Sequence, residues 1–313
     1  MEGEQLNRVL ITGGSGMVGA ALKRVYPEGI YVSSRDFDLR IAAQTEGMFA
    51  EYAPDQVIHL AAKVGGIQAN MDNLGDFYRE NILINSNVLE AARKYEAKKV
   101  VSMLSTCIYP DKVTYPLTEE QIHNGPPHSS NYAYAYAKRM LDIQSKAYRD
   151  QYGCNFITVV PNNLFGENDN YDLNDSHVMP AIMHKMFLAE QNKEDVTLWG
   201  DGSPLREFTY SFDLANILLF LLDFYDGEEP LNVGNTGEHS IKEVAELIAK
   251  YMNFSGTIVW DTDKPSGQYR KPSDNSKLIQ IGWRPEMYTN FEKAIEKSCK
   301  WFIENYPNVR GGM

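Results

Sequence analysis

The feature that most constrains the fold is an alternation of short apolar, β-branched runs with helical stretches in the first half of the chain. Strands are predicted over residues 8–12, 30–33, 57–60, 100–105 and 156–160, with helices between them over 17–25, 45–52, 81–95 and 134–152. Strands that are apolar throughout are typical of a sheet covered by helices on both faces. Because strand–helix–strand units join parallel strands by right-handed crossovers, the pattern predicts an α/β fold with a doubly wound parallel sheet.

The pattern changes after Pro161. Residues 162–176 are rich in Asn, Asp and Gly and are predicted to form a loop. Helices then alternate less regularly with isolated strands, and the pair Ser240 and Glu243 has the spacing of a capping box at the start of a helix. The predicted elements are helices over 178–191, 213–225, 240–253 and 291–306, a strand over 196–199, and a strand over 231–233 that returns to the main sheet.

These elements predict two domains that alternate along the chain. The main domain is expected to comprise residues 1–165 plus about 207–237. A smaller, discontinuous α+β domain, predicted to hold the substrate, is expected to comprise about 166–206 plus 238–313.

Composition excludes several classes of protein. The 313 residues carry a formal net charge of −12, which is unsuited to coating nucleic acid. No apolar run approaches the roughly 20 residues that span a bilayer, and residues 1–8 lack the apolar core of a signal peptide. Three widely spaced cysteines, Cys107, Cys154 and Cys299, favour free thiols in a reducing compartment. We therefore expect a cytoplasmic protein with no nucleic-acid partner and no membrane partner.

A glycine-rich segment, Gly13-Gly14-Ser15-Gly16-Met17-Val18-Gly19, follows the first predicted strand. Glycines at the first, fourth and seventh positions permit a tight turn, close approach of the backbone to a pyrophosphate, and close packing of helix on strand. The N–H groups at the start of the following helix attract the same anion. Since the segment lies between a strand and a helix, it predicts a Rossmann-type dinucleotide site.

The end of the second strand distinguishes the two nicotinamide cofactors. An acidic residue at this point binds the ribose of NAD, whereas an arginine accommodates the 2′-phosphate of NADP. The sequence here is Ser33-Ser34-Arg35-Asp36. Arg35, preceded by two hydroxyls, favours NADP(H), although Asp36 is adjacent.

Candidate reaction groups lie further along the chain. Tyr134 precedes Lys138 by four residues and so shares its helix face, whereas Tyr136 lies about 200° away around the axis. A nearby ammonium group favours tyrosinate, so we expect the pKa of Tyr134 to fall below its reference of about 10. Ser105 ends the fourth predicted strand, and Cys107, two residues on, is expected to project to the same side.

The GxxGxxG segment, HLAA at 59–62, Ser105, Tyr134 and Lys138 together resemble the extended short-chain dehydrogenase/reductases. Within them the chain is similar to the bifunctional 3,5-epimerase/4-reductases of sugar nucleotides. The segments that carry this likeness are KVGGI at 63–67, STCIYP at 105–110, HNGPP at 123–127, YAYAKR at 134–139, PNNLFG at 161–166, SHVMP at 176–180 and the stretch 199–206.

The resemblance implies a substrate and a catalytic role for each candidate residue. The substrate would be GDP-4-keto-6-deoxy-D-mannose, inverted at C3 and C5 and then reduced at C4 with hydride from NADPH. Cys107 and His177 would be the acid–base pair for epimerisation, and Ser105, Tyr134 and Lys138 would serve reduction. A thiol with a reference pKa of about 8.5 and an imidazole of about 6.5 bracket neutral pH, which suits proton transfer in both directions.

The resemblance also implies which residues bind the cofactor and the substrate. The cofactor contacts would be Gly13, Gly14, Ser15, Gly16, Met17, Val18, Gly19, Arg35, Leu60, Ala61, Ala62, Tyr134, Lys138, Pro161, Asn162, Asn163, Leu164 and His177. The substrate contacts would be Lys185, Trp199, Arg206, Asn163 and Ser266, the last standing where relatives often have Asp. No His, Cys and carboxylate cluster has the spacing of metal ligands, so no metal is expected. By analogy, the helices over 81–95 and 134–152 would pair across a two-fold axis in a homodimer.

Two other interpretations remain open. One is another sugar-nucleotide enzyme of this fold, namely a 4-epimerase, a 4,6-dehydratase or a 3,5-epimerase without reductase activity. A dehydratase needs an Asp-Glu pair where Thr106-Cys107 stands, and a 4-epimerase needs no Cys/His pair. The other is a non-enzymatic NADP-binding regulator, which the presence of both Tyr134 and Lys138 disfavours.

Overall fold

The computed structural model describes residues 7–264 and 269–312. The strands are β1 Val9–Thr12, β2 Ile30–Val32, β3 Gln56–His59, β4 Lys99–Met103, β5 Phe156–Pro161, β6 Asn163–Phe165, β7 Val196–Trp199, β8 Leu205–Tyr210, β9 Leu231–Val233, β10 Glu238–Ser240 and β11 Ile258–Asp261. The helices are α1 Met17–Val25, α2 Ala42–Tyr52, α3 Ile67–Asp72, α4 Leu74–Lys94, α5 Tyr132–Tyr152, α6 Val178–Asn192, α7 Ser211–Phe224, α8 Ile241–Met252, α9 Ser276–Gln280 and α10 Phe291–Asn305.

Six parallel strands form the main sheet in the order β2-β1-β3-β4-β5-β9, which confirms the doubly wound prediction. The strand order changes direction at β1, which pairs with β2 on one side and with β3 on the other. In open parallel sheets the crevice at such a switch point, outside the carboxyl ends of the strands, is where ligands bind. The glycine-rich segment begins directly after β1, at this crevice.

Alternate residues along each strand point to opposite faces of the sheet, and a layer of helices covers each face. Ile11 and Ile58 face one side, in a core shared with α1 and α7. Leu10 and Val57 face the other side, in a core shared with α2, α4 and α5. Because both faces of the sheet are buried, the strands are mostly apolar, as the sequence pattern indicated.

Apart from the two cores that cover the main sheet, a separate core lies between α6, α8, α10 and two small sheets, and it is called the second core below. One small sheet has the order β10-β8-β6 and the other pairs β11 with β7. Phe165 and Phe208 pack in this core, although their sequence positions were predicted to belong to the main domain. Conversely, Leu278 and Trp283 pack with the core of the main sheet. The exact domain boundaries therefore stay a prediction.

Part of the predicted 162–176 loop is wrong. Asn163–Phe165 forms β6, which pairs in parallel with β8 and places Asn163 opposite Phe208. The Asn-rich sequence has low strand propensity, but pairing with β8 and burial of Phe165 override it. α4 also begins earlier than predicted, at Leu74 instead of residue 81.

Among the helices that the structure describes, none is long and apolar enough to cross a membrane.

Close packing of α1 on the glycine turn gives a stability test. A Cβ at Gly19 would lie 2.6 Å from the Gly13 carbonyl oxygen and 2.7 Å from the Gly14 Cα, whereas a Cβ at Gly47, in α2, meets nothing within 4 Å. Gly19→Ala should therefore lower the free energy of unfolding by about 1–3 kcal/mol. Gly47→Ala should raise it by about 0.5–1 kcal/mol, because alanine is the better helix former. Urea unfolding measures both changes, and equal stability of the two variants would contradict this packing.

Candidate active site

The turn after β1 is built to receive an anion. Gly13 has φ +71°, and a Cβ there would lie 2.9 Å from the backbone nitrogen of Ala61, so only glycine fits. Gly16 caps α1 without a side-chain hydrogen bond, and the first turn of α1 contains no acidic residue. The first N–H groups of α1 thus have no competing side-chain acceptor, and the turn fits a dinucleotide pyrophosphate.

The end of β2 presents Arg35 to solvent, at the place where the ribose phosphate is expected. The Asp36 carboxylate accepts hydrogen bonds from the backbone N–H and the hydroxyl of Ser33, both at 2.8 Å. These bonds lower the pKa of Asp36 and hold its carboxylate against Ser33, within the turn that follows β2. Within the described part of the chain, Arg35 forms no ion pair within 4 Å, so its guanidinium can bind an incoming phosphate.

His59 is structural. Its ring is buried between the Thr12 hydroxyl, 2.8 Å from Nδ1, and the Asn85 side-chain oxygen, 3.1 Å from Nε2. Burial lowers the pKa of His59 to about 3, so the ring is neutral at physiological pH. The contacts fix the end of β3 against β1 at the cofactor crevice.

Ser105, Cys107, Tyr134 and Lys138 lie together beyond the end of β4. The Lys138 ammonium donates to the Met103 carbonyl at 2.8 Å and lies 5.9 Å from the centre of the Tyr134 ring. Cys107 is not on a strand as predicted: β4 ends at Met103, and Cys107 lies in a 3-10 turn capped by Ser105. The Cys107 N–H donates to the Ser105 hydroxyl oxygen at 3.5 Å, so the turn brings the two side chains together by a different route.

The expectation of a lowered pKa for Tyr134 is wrong. Burial raises the pKa of Tyr134, and a nearby Cys107 thiolate raises it further. Burial also lowers the pKa of Lys138 to about 8. Desolvation of both groups outweighs the attraction between ammonium and phenolate, because the pair is enclosed by protein. Tyr134 therefore keeps its proton at neutral pH, as a proton donor must.

Lys271 joins this cluster and was missed by the sequence reasoning. Its ammonium donates to the Thr106 carbonyl at 3.1 Å, immediately before Cys107. Burial raises the pKa of Cys107, while the Ser105 hydrogen bond and the charges of Lys271 and Lys138 act in the opposite direction. Nothing local in the sequence relates Lys271 to Cys107, which lies more than 160 positions earlier.

His177 lies at the N-terminus of α6, with extended backbone and no side-chain capping bond. Burial lowers the pKa of His177, Asp175 opposes this shift, and Arg310 adds to it. The Asp175 carboxylate accepts a hydrogen bond from the Gly66 N–H at 2.6 Å, which ties the loop before His177 to the segment after β3.

The segment after β3 is also linked to Tyr134 through packing contacts. A Cβ at Gly65 would lie 3.0 Å from both Asp175 Oδ1 and the Phe77 ring. The Phe77 ring in turn packs edge-on against Tyr134 at 6.3 Å between centres. The His177 loop and the Tyr134 ring are thus linked through two intermediate residues, Gly65 and Phe77, while the catalytic role of His177 stays a prediction.

The predicted substrate residues lie in two places, each with a second cation beside it. Trp199 is 62% exposed and has the ammonium of Lys185 5.9 Å, and that of Lys264 5.8 Å, from its ring centre. Arg206 lies near Lys271, donates to the Leu205 carbonyl at 2.7 Å, and has its pKa lowered by burial. The predicted contact Ser266 lies outside the described residues.

Two residues that follow β5 and were predicted to contact the cofactor, Asn162 and Asn163, use their side chains in hydrogen bonds within the protein. The Asn162 amide donates to the Asn235 carbonyl at 2.8 Å and to Glu207 at 3.3 Å, and accepts from Thr209 at 2.6 Å. Asn163 donates to the Glu207 carbonyl at 2.8 Å. The Asn162 side chain therefore joins the end of β5 to β8, and its predicted contact with the cofactor stays a prediction.

The other two cysteines lie apart from these groups. Cys299 is buried in the second core, and Cys154 packs at the edge of the core under α5. All three cysteines are free thiols. Across residues 7–264 and 269–312, no three His, Cys, Asp or Glu side chains converge as metal ligands.

Comparisons with known proteins agree with this geometry. The model of the NAD dependent epimerase/dehydratase family matches residues 9–234. A GDP-L-fucose synthase of Dictyostelium discoideum is 46% identical over 96% of this chain and 97% of its own length. A probable GDP-L-fucose synthase of Drosophila melanogaster is 46% identical over 97% of this chain and 100% of its own length.

Solved structures extend the likeness to three dimensions. The crystal structure of a GDP-L-fucose synthetase from Naegleria fowleri bound to NADP is 42% identical and superposes with a TM-score of 0.93, covering 98% of this chain and 95% of that one. The chain therefore belongs to the NAD dependent epimerase/dehydratase family, in the branch of extended short-chain dehydrogenase/reductases that contains the GDP-L-fucose synthases.

Proposed function

We propose that this chain converts GDP-4-keto-6-deoxy-D-mannose into GDP-L-fucose by inverting C3 and C5 and then reducing the C4 ketone with NADPH. The observation that carries the proposal is the placement of Cys107 in one cluster with Ser105, Tyr134 and Lys138. A ketone at C4 acidifies the hydrogens on C3 and C5, so epimerisation and reduction both act around the same carbonyl. A thiol next to a reductase triad suits that combination, and the names of the relatives agree with it.

Epimerisation needs proton transfer on both faces of the sugar ring. At each centre, one of Cys107 and His177 removes a proton and the other returns one from the opposite face. The Tyr134 hydroxyl donates a hydrogen bond to the C4 oxygen and stabilises the negative charge that develops there. Because burial keeps Tyr134 protonated, this donor is present throughout the step.

Reduction uses the same carbonyl. Bound NADPH supplies a hydride to C4, and the Tyr134 hydroxyl gives its proton to the C4 oxygen. Lys138, held by the Met103 carbonyl, stabilises the resulting phenolate, and the Ser105 hydroxyl orients the ketone.

The sugar nucleotide needs local cations, since the chain carries −12 overall. Arg206 can bind phosphate oxygens in a forked arrangement, and Lys185 adds a second charge beside Trp199, whose exposed ring can pack on a ligand ring. These residues lie on β8, α6 and β7, so the second domain supplies this part of the binding site.

Lys271 connects substrate binding to the thiol. Its ammonium lies beside Thr106 and acts electrostatically on both Cys107 and Arg206. A cation at this place stabilises the Cys107 thiolate, which is the form that removes a proton. Since this chemistry needs a reduced Cys107, we infer that the protein works in the cytoplasm.

We also propose a homodimer, in which α4 and α5 of two copies pack together. The two helices expose a groove lined by the side chains of Leu74, Tyr78, Tyr132, Tyr136 and Met140. Met71 and Ile143 are exposed on the same two helices or beside them. A contiguous apolar surface of this kind marks an interaction site, and a second copy would cover it with the same surface.

Turnover in heavy water tests the proposed function. With GDP-4-keto-6-deoxy-D-mannose and NADPH, the product should be GDP-L-fucose carrying deuterium at C3 and C5, with one NADPH oxidised per product. Cys107→Ser should block epimerisation while leaving the cluster that reduces C4, and Tyr134→Phe should depress the reductive step. Mass spectrometry and proton NMR of the product read the label, and absence of deuterium at both carbons would remove Cys107 and His177 from the mechanism.

The role of Lys271 is tested by alkylation of the free enzyme. Lys271→Met should raise the pH midpoint of Cys107 alkylation by about one pH unit, because a nearby cation stabilises the thiolate. Lys271→Arg keeps the charge and should keep the midpoint. Peptide mass spectrometry separates Cys107 from Cys154 and Cys299, and identical midpoints in both variants would exclude this role.

The dimer is tested by a pair of matched substitutions. Met140, in the groove, and Ile303, on α10, are 37% and 39% exposed, so replacement by lysine changes each surface similarly. Met140→Lys should reduce the mass in solution from twice the 35.5 kDa of one chain to the single-chain value. Ile303→Lys should stay dimeric. Sedimentation equilibrium gives the masses, and a wild-type chain that sediments as a monomer would refute the proposal.

A further inference from the structure

The segment 308–312, which we call the anchor segment, packs against the loop that precedes His177. The Tyr171 N–H donates to the Arg310 carbonyl at 2.8 Å. Gly311 has φ +74°, and a Cβ there would lie 2.2 Å from the Asp172 nitrogen and 2.6 Å from its Cα. The two backbones are thus in direct contact, and only glycine satisfies both the space and the conformation.

Asp172 organises the rest of that loop. Its carbonyl accepts hydrogen bonds from the N–H groups of Asp175 at 3.2 Å and Ser176 at 2.8 Å. Its carboxylate accepts from the Asn174 N–H at 2.8 Å. A shift of Asp172 would therefore carry the next four residues with it, and His177 follows Ser176 directly.

The other side of the loop is held by the main domain. Asp175 accepts from the Gly66 N–H at 2.6 Å, and Gly66 belongs to the segment that contacts Phe77 and, through it, Tyr134. The loop thus contacts the anchor segment on one side. On the other side it contacts the segment after β3, which leads to the cluster of Ser105, Tyr134 and Lys138. Contacts on both sides thus constrain the loop that ends at His177.

We propose that the anchor segment positions His177 for proton transfer, at a distance from the reacting atoms. This inference rests on the proposed function. It assigns no chemistry to residues 308–312 and makes Gly311 and Arg310 positioning residues. Arg310 and Asp175 are the charged groups that act on the His177 ring, from the anchor segment and from the loop itself.

The first test is Gly311→Ala, with Gly153→Ala as its matched control. Gly153 ends α5 at φ +69°, so alanine meets a similar backbone penalty there, but a Cβ at Gly153 meets nothing within 4 Å. The readout is the ratio of epimerised product to sugar reduced without epimerisation, measured by NMR with GDP-4-keto-6-deoxy-D-mannose and NADPH. Gly311→Ala should lower this ratio about tenfold or more, since a 1 Å misplacement of a reacting group costs on the order of 100-fold in rate.

The ratio separates positioning from a general loss of structure. A smaller folded fraction lowers both products equally and leaves the ratio unchanged, and circular dichroism reports that fraction. Gly153→Ala should keep the wild-type ratio. A wild-type ratio in folded Gly311→Ala would overturn the inference while leaving the proposed function intact, and absence of any turnover in the wild-type chain would overturn both.

A second pair of variants decides the matter if Gly311→Ala does not fold. Arg310 is exposed, and its charge lowers the pKa of His177. Arg310→Gln should therefore raise the pH midpoint of epimerisation, whereas Arg310→Lys should restore the wild-type midpoint. Coinciding midpoints in the two variants would show that the Arg310 side chain does not lie close enough to act on His177, and would overturn the placement of the anchor segment on which the inference rests.

Discussion

The site depends on the burial of one ammonium group at the end of the central strand. Lys138 is 3% exposed, and its Nζ donates to the Met103 carbonyl, the last residue of β4. A buried cation is costly unless hydrogen-bonded, and the exposed carbonyl edge of a parallel strand supplies that partner. The bond fixes the start of α5 against β4, and this brings Tyr134 and the Ser105 turn together around the point where we propose that the ketone binds.

Three separate loops carry the groups proposed to act there, and each loop is fixed by a different contact. The Ser105 hydroxyl caps the turn that carries Cys107. The Asp175 carboxylate binds the Gly66 N–H and so holds the loop before His177. Lys271 binds the Thr106 carbonyl from the segment between β11 and α9. Proton transfer on both faces of one ring requires such convergence, because no single helix or strand can present groups on opposite sides of a ligand.

Sequence reasoning predicted the helices and strands whose apolar residues follow a simple pattern. It failed where contacts between residues distant in sequence determine the structure. Val196–Trp199 and Leu231–Val233 were predicted to the residue, since short apolar runs between loop residues have few alternatives. Asn163–Phe165 was mistaken for loop because its strand depends on β8. Lys271 was missed for the same reason: its role comes from the fold, not from its neighbours in sequence.

The chemistry of the site was predicted in outline but not in its electrostatics. Spacing alone placed Tyr134 beside Lys138, and the structure agrees. Spacing could not show how completely the pair is enclosed, and enclosure reverses the expected direction of the Tyr134 pKa. The positions of Cys107 and Ser105 were predicted from an extended strand, whereas a 3-10 turn brings them together.

The most direct test of this account is a crystal structure of the chain with oxidised NADP and GDP-L-fucose bound. It should show Cys107 Sγ and the His177 ring on opposite faces of the fucose, each within about 3–3.5 Å of hydrogen-bearing positions at C3 or C5, and the Tyr134 hydroxyl on the C4 oxygen. A complex in which His177 points into the second core, or in which both groups lie on the same face of the sugar, would contradict it.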